Sequence, residues 1–310
     1  MKIAVVLNET AGALHRRSPE KVAAWIRERL EAWDHQVTIT TAAGGLLTRA
    51  IRQAINGDAE VVAIGGGDGT ISAAARQMIG AGKCLGVLPM GTINLFARDL
   101  GIPRELDAAI SVIARGRSRM IDVGEVNGHI FLNNSVIGLY PSLIRVRERH
   151  RQARGLLRWA SVVLMALRAV WRARPIPIRL ECGQGSQFIM AAALAVANNP
   201  AVARRSEARP KRVLDGGRLG VFWAPARARI GLLRLMARLA LGCWRLDADI
   251  GYQATGAAAV ECSSHRRVKV ALDGEVFRLT PPLLYKIRPS ALKVMAPEGS
   301  ERVAFRACPE

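Results

Sequence analysis

Apolar and polar positions follow two different rhythms along the chain. From residue 1 to about residue 122, short apolar runs alternate with segments of helical periodicity. KIAVVL, HQVTITT, AEVVAI and CLGVLP read as strands, and SPEKVAAWIRERLEAW, LLTRAIRQAI, TISAAARQMI and LDAAISVIARG read as helices. The first helix opens with Ser18 as N-cap, Pro19 in the first turn and Glu20 close behind. This alternation predicts a parallel sheet covered on both faces, with ligand sites at the carboxyl ends of its strands. Beyond residue 122 strands follow one another directly: MIDVGEV, HIFLNNSVI, PIPIRLEC, FIMAAALAVAN, RLGVFWA, RVKVALDGE, VFRLTPP and YKIRP. That texture predicts a largely antiparallel part, interrupted by two long basic helices. The expected fold class is α/β, with an N-terminal parallel-sheet α/β domain over 1–122 and a C-terminal, mainly antiparallel β-sandwich domain over 123–310. The extreme C-terminal segment is expected to pack back on the first domain.

Composition narrows the partners. A chain of 310 residues that is 50% hydrophobic can bury a sizeable core. Its net charge of +20 attracts polyanions, whether nucleic acid, anionic lipid or a phosphorylated substrate. With only 5% aromatic residues to stack bases and no nucleic-acid motif, nucleic acid is not the expected partner. Five scattered cysteines form no C-x-x-C pair, which argues against a zinc site or a disulfide framework and fits a reducing compartment. Asn8 ends the first apolar run too soon for a secretory signal, and no stretch reaches the roughly 18 apolar residues of a spanning helix.

Two glycine-rich stretches carry candidate chemistry. In AIGGGDGTIS, Gly65, Gly66, Gly67 and Gly69 surround Asp68 and precede Thr70, between a strand and a helix. Such glycines allow positive φ and close backbone approach, so that N–H groups converge on an anion at the start of the helix. Phosphate is the natural guest, although neither G-x-x-x-x-G-K-[ST] nor G-x-G-x-x-G is satisfied. In LPMGTINLFARDL, Gly91, Thr92 and Asn94 repeat the arrangement after the next strand. Each stretch also reads as a turn with a helix cap serving the fold alone. Asp273-Gly274 reads, on local pattern, as a hairpin turn.

Four stretches in order, LNETAG with Thr41 after it, GGGDGT, LPMGTINLFARDLGIP and LDGEVFRLTPPLLYKIRPSALKVMAP, resemble the diacylglycerol kinase catalytic family, which includes bacterial lipid kinases and sphingosine kinases. The resemblance covers almost the whole chain. It implies ATP-dependent phosphorylation of a diacylglycerol- or sphingoid-type lipid hydroxyl, with nucleotide bound by the α/β domain and the lipid acceptor by the sandwich domain. It implies that Gly65, Gly66, Gly67, Gly69 and Thr70 cradle phosphate and that Asp68 holds Mg²⁺ on the phosphates. By the same resemblance Asn8, Thr10 and Gly12 form a first nucleotide loop with Thr41 beside it, Gly91, Thr92 and Asn94 form a second, Glu275 lies near the nucleotide, and Asp273 is the general base. Asp215, in LDGGRLGV, matches part of a structural Mg²⁺ site, but Gly216 and Gly220 stand where carboxylates are common, which weakens a hard-cation site.

Other features widen or narrow that reading. Ser72 and Ala73 stand where relatives carry Asn-Glu, and NNPAVARRSEARP replaces a glycine-rich stretch. Arg147, Arg151, Arg154, Arg158, Arg168 and Arg172 fall within about 100° of a helix circumference, and Arg227, Arg234, Arg238 and Arg245 within about 40°. For a lipid kinase, such Arg-striped helices suit an anionic membrane surface, so a cytoplasmic protein peripheral at the inner membrane surface is expected. The alternative is that they pack on the sandwich and leave their arginines solvated. A catalytically silent lipid-binding or regulatory protein on the same scaffold is the alternative function. An NAD kinase-like enzyme shares the glycine turn but not the G-T-x-N-x-F-A that follows the next strand.

Overall fold

The computed structural model describes residues 1–12, 18–138, 175–183, 185–199, 201–202, 211–212, 214–225, 250–262 and 267–298. Both Arg-striped segments lie outside the described residues. The chain divides into two compact units, one of Met1–Val123, Val213–Gly216 and Arg288–Glu310, the other of Gly124–Arg212 and Gly217–Ile287.

The first unit is a doubly wound α/β sheet. Its elements are β1 (Lys2–Asn8), α1 (Pro19–Glu31), β2 (Gln36–Ala42), α2 (Gly44–Asn56), β3 (Val61–Gly66), α3 (Asp68–Met78), β4 (Cys84–Pro89), α4 (Leu95–Asp99) and α5 (Leu106–Arg115). Parallel strands lie in the order β4-β3-β1-β2. Every residue of β3 and β4 is buried, as expected of strands covered on both sides. Strand order reverses between β1 and β3. With right-handed crossovers, α1 and α3 therefore go to opposite faces, and α1 packs with α5 while α2 packs with α3. Val22, Ile26 and Leu30, one face of α1, are buried. Truncating a buried side chain such as Ile26 to alanine costs about 2–5 kcal/mol. Ser18 stands at the N-cap of α1 but makes no cap bond; its hydroxyl bonds the Glu20 carboxylate instead.

Strand β5 (Arg117–Val126) then leads out of this unit, and the last described strand (Leu283–Ala296) brings the chain back, with Val294 beside Leu85 of β4 in parallel register. Within the first unit the buried Asp122 ties the segments together: its N–H donates to the Leu214 carbonyl at 2.8 Å, and its Oδ1 accepts the Ser290 N–H at 2.9 Å.

The second unit is antiparallel. It contains β6 (His129–Phe131), β7 (Asn134–Gly138), β8 (Ile176–Cys182), β9 (Gly185–Asn198), β10 (Ala201–Val202), β11 (Lys211–Arg212), β12 (Leu219–Pro225), β13 (Gly251–Thr255), β14 (Ala257–Cys262), β15 (Val268–Leu272) and β16 (Glu275–Leu279), and it takes in the start of β17 (Leu283–Ala296). The order runs β16-β15-β7-β9-β8-β14-β17, with β12 on β9 and β13 on β12. Inward residues such as Leu180, Leu194, Val196, Val221, Val260 and Leu272 form its core. Within that core the Tyr285 hydroxyl bonds Ser135 Oγ at 2.9 Å, and burial pushes the phenol well above its usual range. β13 and β14 have no counterpart among the strands expected from the sequence; GYQAT and AAAVEC are rich in glycine and alanine and carry little strand signal.

Candidate functional site

The carboxyl ends of the first unit's strands are level. Leu7 pairs with Thr41 on one side and Gly65 on the other, and Gly65 pairs with Leu88. Beyond that line the loops after β1, β3 and β4 are joined by side chains. Asn8 Nδ2 donates to Thr70 Oγ1 at 2.9 Å, while Asn8 Oδ1 accepts the Thr10 N–H at 3.1 Å and the Thr10 hydroxyl at 2.8 Å. The Asn8–Thr70 bond therefore spans β1 and β3, where strand order reverses and where ligands of doubly wound sheets bind.

The third loop closes on itself. Asn94, in the left-handed region at φ 51°, accepts the Gly91 N–H at 2.8 Å and donates to the carbonyls of Gly91 at 2.9 Å and Pro89 at 3.3 Å. Asp68 Oδ1 accepts the Phe96 N–H at 3.2 Å, so the first residue of α3 caps α4 from outside. Thr92 and the loop residues Thr10 and Gly12 are exposed.

The glycines act differently from expectation. None of Gly12, Gly65, Gly66, Gly67, Gly69 or Gly91 has positive φ. Close packing is what several of them require. A Cβ on Gly65 would come within 2.5 Å of Leu7 Cδ2, one on Gly66 within 2.6 Å of the Thr70 side chain, and one on Gly91 within 2.5 Å of Gly67 Cα. Gly67, the N-cap of α3, supplies no side-chain cap, so the first-turn N–H groups of Asp68, Gly69 and Thr70 are not taken up by one. Such a helix end favours an anion.

In the second unit Asp273 is both a turn residue and a carboxylate anchor. It and Gly274 join β15 to β16 with φ 48° and 94°, the two positive values of a tight hairpin turn. Its Oδ2 accepts the Leu132 N–H at 2.8 Å, and its Oδ1 accepts the N–H groups of Asn133 at 2.7 Å and Asn134 at 3.2 Å. A carboxylate offers about four lone-pair positions, and three are engaged by this one turn. Nothing in the sequence marks these partners, because they lie some 140 residues away along the chain and contribute backbone rather than side-chain groups. Glu275 is exposed at the start of β16.

Metal candidates divide. Among the described residues no group of three or more His, Cys, Asp or Glu side chains is placed to hold an ion. Asp68 alone suits Mg²⁺ only where substrate phosphates and water complete the shell, which is how that ion is commonly held. Asp215 Oδ2 lies 3.4 Å from the Arg119 guanidinium, an ion pair that would compete with a cation at this carboxylate.

Residues 2–126 match the diacylglycerol kinase catalytic domain, and residues 143–296 match the YegS C-terminal NAD kinase beta sandwich-like domain. The "Probable lipid kinase YegS-like" protein of Pseudomonas fluorescens is 29% identical over 290 residues, covering 91% of this chain and 92% of that one. The diacylglycerol kinase of Bacillus subtilis is 37% identical over 134 residues, 42% of this chain and 43% of its own length. A crystal structure of a diacylglycerol kinase from Bacillus anthracis shares the fold with a TM-score of 0.67 at 17% identity, covering 96% of this chain and 97% of that one.

Proposed function

The chain belongs to the diacylglycerol kinase catalytic family, and on that premise we propose that it transfers the γ-phosphoryl group of ATP to a lipid hydroxyl, of a diacylglycerol or sphingoid type. The observation that carries the reading is the joined set of loops at the reversal of strand order, with the uncapped start of α3 among them. There the first-turn amides of Asp68, Gly69 and Thr70 would face the phosphates, with the loop Asn8–Gly12 on one side, the loop Gly91–Asn94 on the other and Thr41 as a further nucleotide contact; the family resemblance adds Glu275 to the nucleotide-binding residues. Asp68 would hold Mg²⁺ on the phosphates, and that ion would neutralise their charge.

The acceptor oxygen attacks the γ-phosphorus in line, the bond from that phosphorus to the β–γ bridging oxygen breaks, and ADP departs. The hydroxyl proton passes to the Asp273 carboxylate, which the amides of Leu132, Asn133 and Asn134 hold in one orientation. The arginine stripes at 147–172 and 227–245 would bring the enzyme to an anionic bilayer from the cytoplasmic side. No described helix is long and apolar enough to cross a membrane. A catalytically silent lipid-binding protein is the second reading, favoured by the amides that engage Asp273 and by the pairing of Asp215 with Arg119.

Purified protein incubated with Mg²⁺, labelled ATP and vesicles containing diacylglycerol, ceramide, sphingosine or phosphatidylglycerol separates the two. Label in one lipid supports the kinase; label in none, with vesicle binding retained, supports the silent protein.

A further inference from the structure

The turn Leu132–Asn134 is held from both sides. Its N–H groups point to Asp273, and the carbonyls of Leu132 and Asn133 point to Asn198, the last residue of β9. Asn198 Nδ2 donates to the Leu132 carbonyl at 2.9 Å, and the Asn198 backbone N–H donates to the Asn133 carbonyl at 3.0 Å. Two peptide groups are therefore sandwiched. The Leu132–Asn133 peptide receives Asn198 Nδ2 at its oxygen and gives its N–H to Asp273 Oδ1; the Asn133–Asn134 peptide receives the Asn198 N–H and gives its own to the same oxygen. Hydrogen bonding at a peptide oxygen polarises the group and strengthens its N–H as a donor.

Asn198 is itself almost fully inaccessible, at 1% exposure, and held in register on β12 opposite Leu219. A buried amide is expensive to place unless its bonds are used. Here its donor is spent on the peptide group that leads to Asp273.

We infer that Asn198 is a positioning residue for phosphoryl transfer: by gripping the carbonyls of the Leu132–Asn134 turn it aims the amides that orient the Asp273 carboxylate toward the acceptor hydroxyl. The inference rests on the reading of Asp273 as the base. It assigns Asn198 no contact with nucleotide or lipid, so its loss reaches turnover and not nucleotide affinity.

The test uses the full chain and the lipid of the panel above that takes up most label. Asn198→Ala lowers kcat about 10- to 100-fold, the scale of a small misplacement of a reacting group, with KM for ATP within about twofold of wild type. Asn198→Ser, which retains a hydroxyl donor, recovers part of that loss and serves in its place should the alanine variant not fold. In an Asp273→Glu background, where the carboxylate is moved off the amides, Asn198→Ala produces no further fall. An unchanged kcat for Asn198→Ala and Asn198→Ser, or an equal fold-loss with and without Asp273→Glu, would overturn the inference and leave Asn198 a strand-end anchor. Wild-type turnover by Asp273→Asn, or a wild type that labels none of the lipids, is a separate result: it removes the base reading and the inference with it.

Discussion

Gly91 lies against Gly67 so closely that a methyl group added at position 91 would stand 2.5 Å from the Gly67 Cα. The loops after β3 and β4 are thus fitted backbone to backbone, and a side chain at 91 has nowhere to go but between them.

Gly91→Ala is therefore expected to lower stability by about 1–3 kcal/mol, the range of an overpacked interior site, and to weaken nucleotide binding at least tenfold. Gly12→Ala provides the contrast, since the nearest atom to its added Cβ is 4.0 Å away. It should leave the urea midpoint unchanged while reducing affinity for a fluorescent ATP analogue. Equal affinity for wild type and Gly12→Ala would remove the first loop from the nucleotide site.

Asp68 offers a separation of cap from metal chemistry. Asp68→Asn keeps an oxygen able to accept the Phe96 N–H, so folding stability should change by no more than about 0.5 kcal/mol. The amide is a poor Mg²⁺ ligand, and phosphoryl transfer should fall at least about 100-fold at any Mg²⁺ concentration. Asp68→Ala loses the cap as well and should cost about a further 1 kcal/mol in chemical denaturation.

At Asp273 the expected outcome is a loss of both stability and activity. An asparagine there turns an N–H₂ group toward one or more of the amides of Leu132, Asn133 and Asn134. Charge-assisted bonds of this kind are worth about 1.5–3 kcal/mol each, so Asp273→Asn should lower the unfolding free energy measured by chemical denaturation by about 2 kcal/mol or more. Activity is accordingly to be measured at a temperature where the variant is fully folded by circular dichroism.

Burial pushes the Cys84 thiol up to about 11, with Lys293 opposing the shift slightly. The folded protein then keeps its proton where the unfolded chain gives it up. The contribution to stability is fully present below about pH 9 and is lost as pH rises toward 11, at most about 2–3 kcal/mol. Denaturation midpoints of Cys84→Ala should fall less steeply with pH over that window than those of wild type.

The parallel sheet was legible because β1, β3 and β4 are continuous apolar runs, and the antiparallel part because strands such as Ile176–Cys182 and Gly185–Asn198 follow one another directly. What pattern cannot carry is which polar group meets which. Asn8 and Thr70 stand on different strands' loops, and Asp273 meets three amides from a distant turn. Local sequence rules see Asp273-Gly274 as a hairpin turn, which it is, and are silent about the carboxylate. The glycines show the same limit: their presence is visible in AIGGGDGTIS, but only the neighbours Leu7, Thr70 and Gly67 explain why a side chain is barred.

The return of the last strand to Val294 beside Leu85 has a consequence for biosynthesis. β4 emerges early from the ribosome, yet its second parallel neighbour is translated only after the whole second unit. The first unit must wait with one flank of its sheet unsealed while the sandwich strands are made, and an exposed flank of that kind invites association with other nascent chains. Delayed completion, rather than sluggish folding of either half, would then govern how much protein a cell recovers when synthesis is fast.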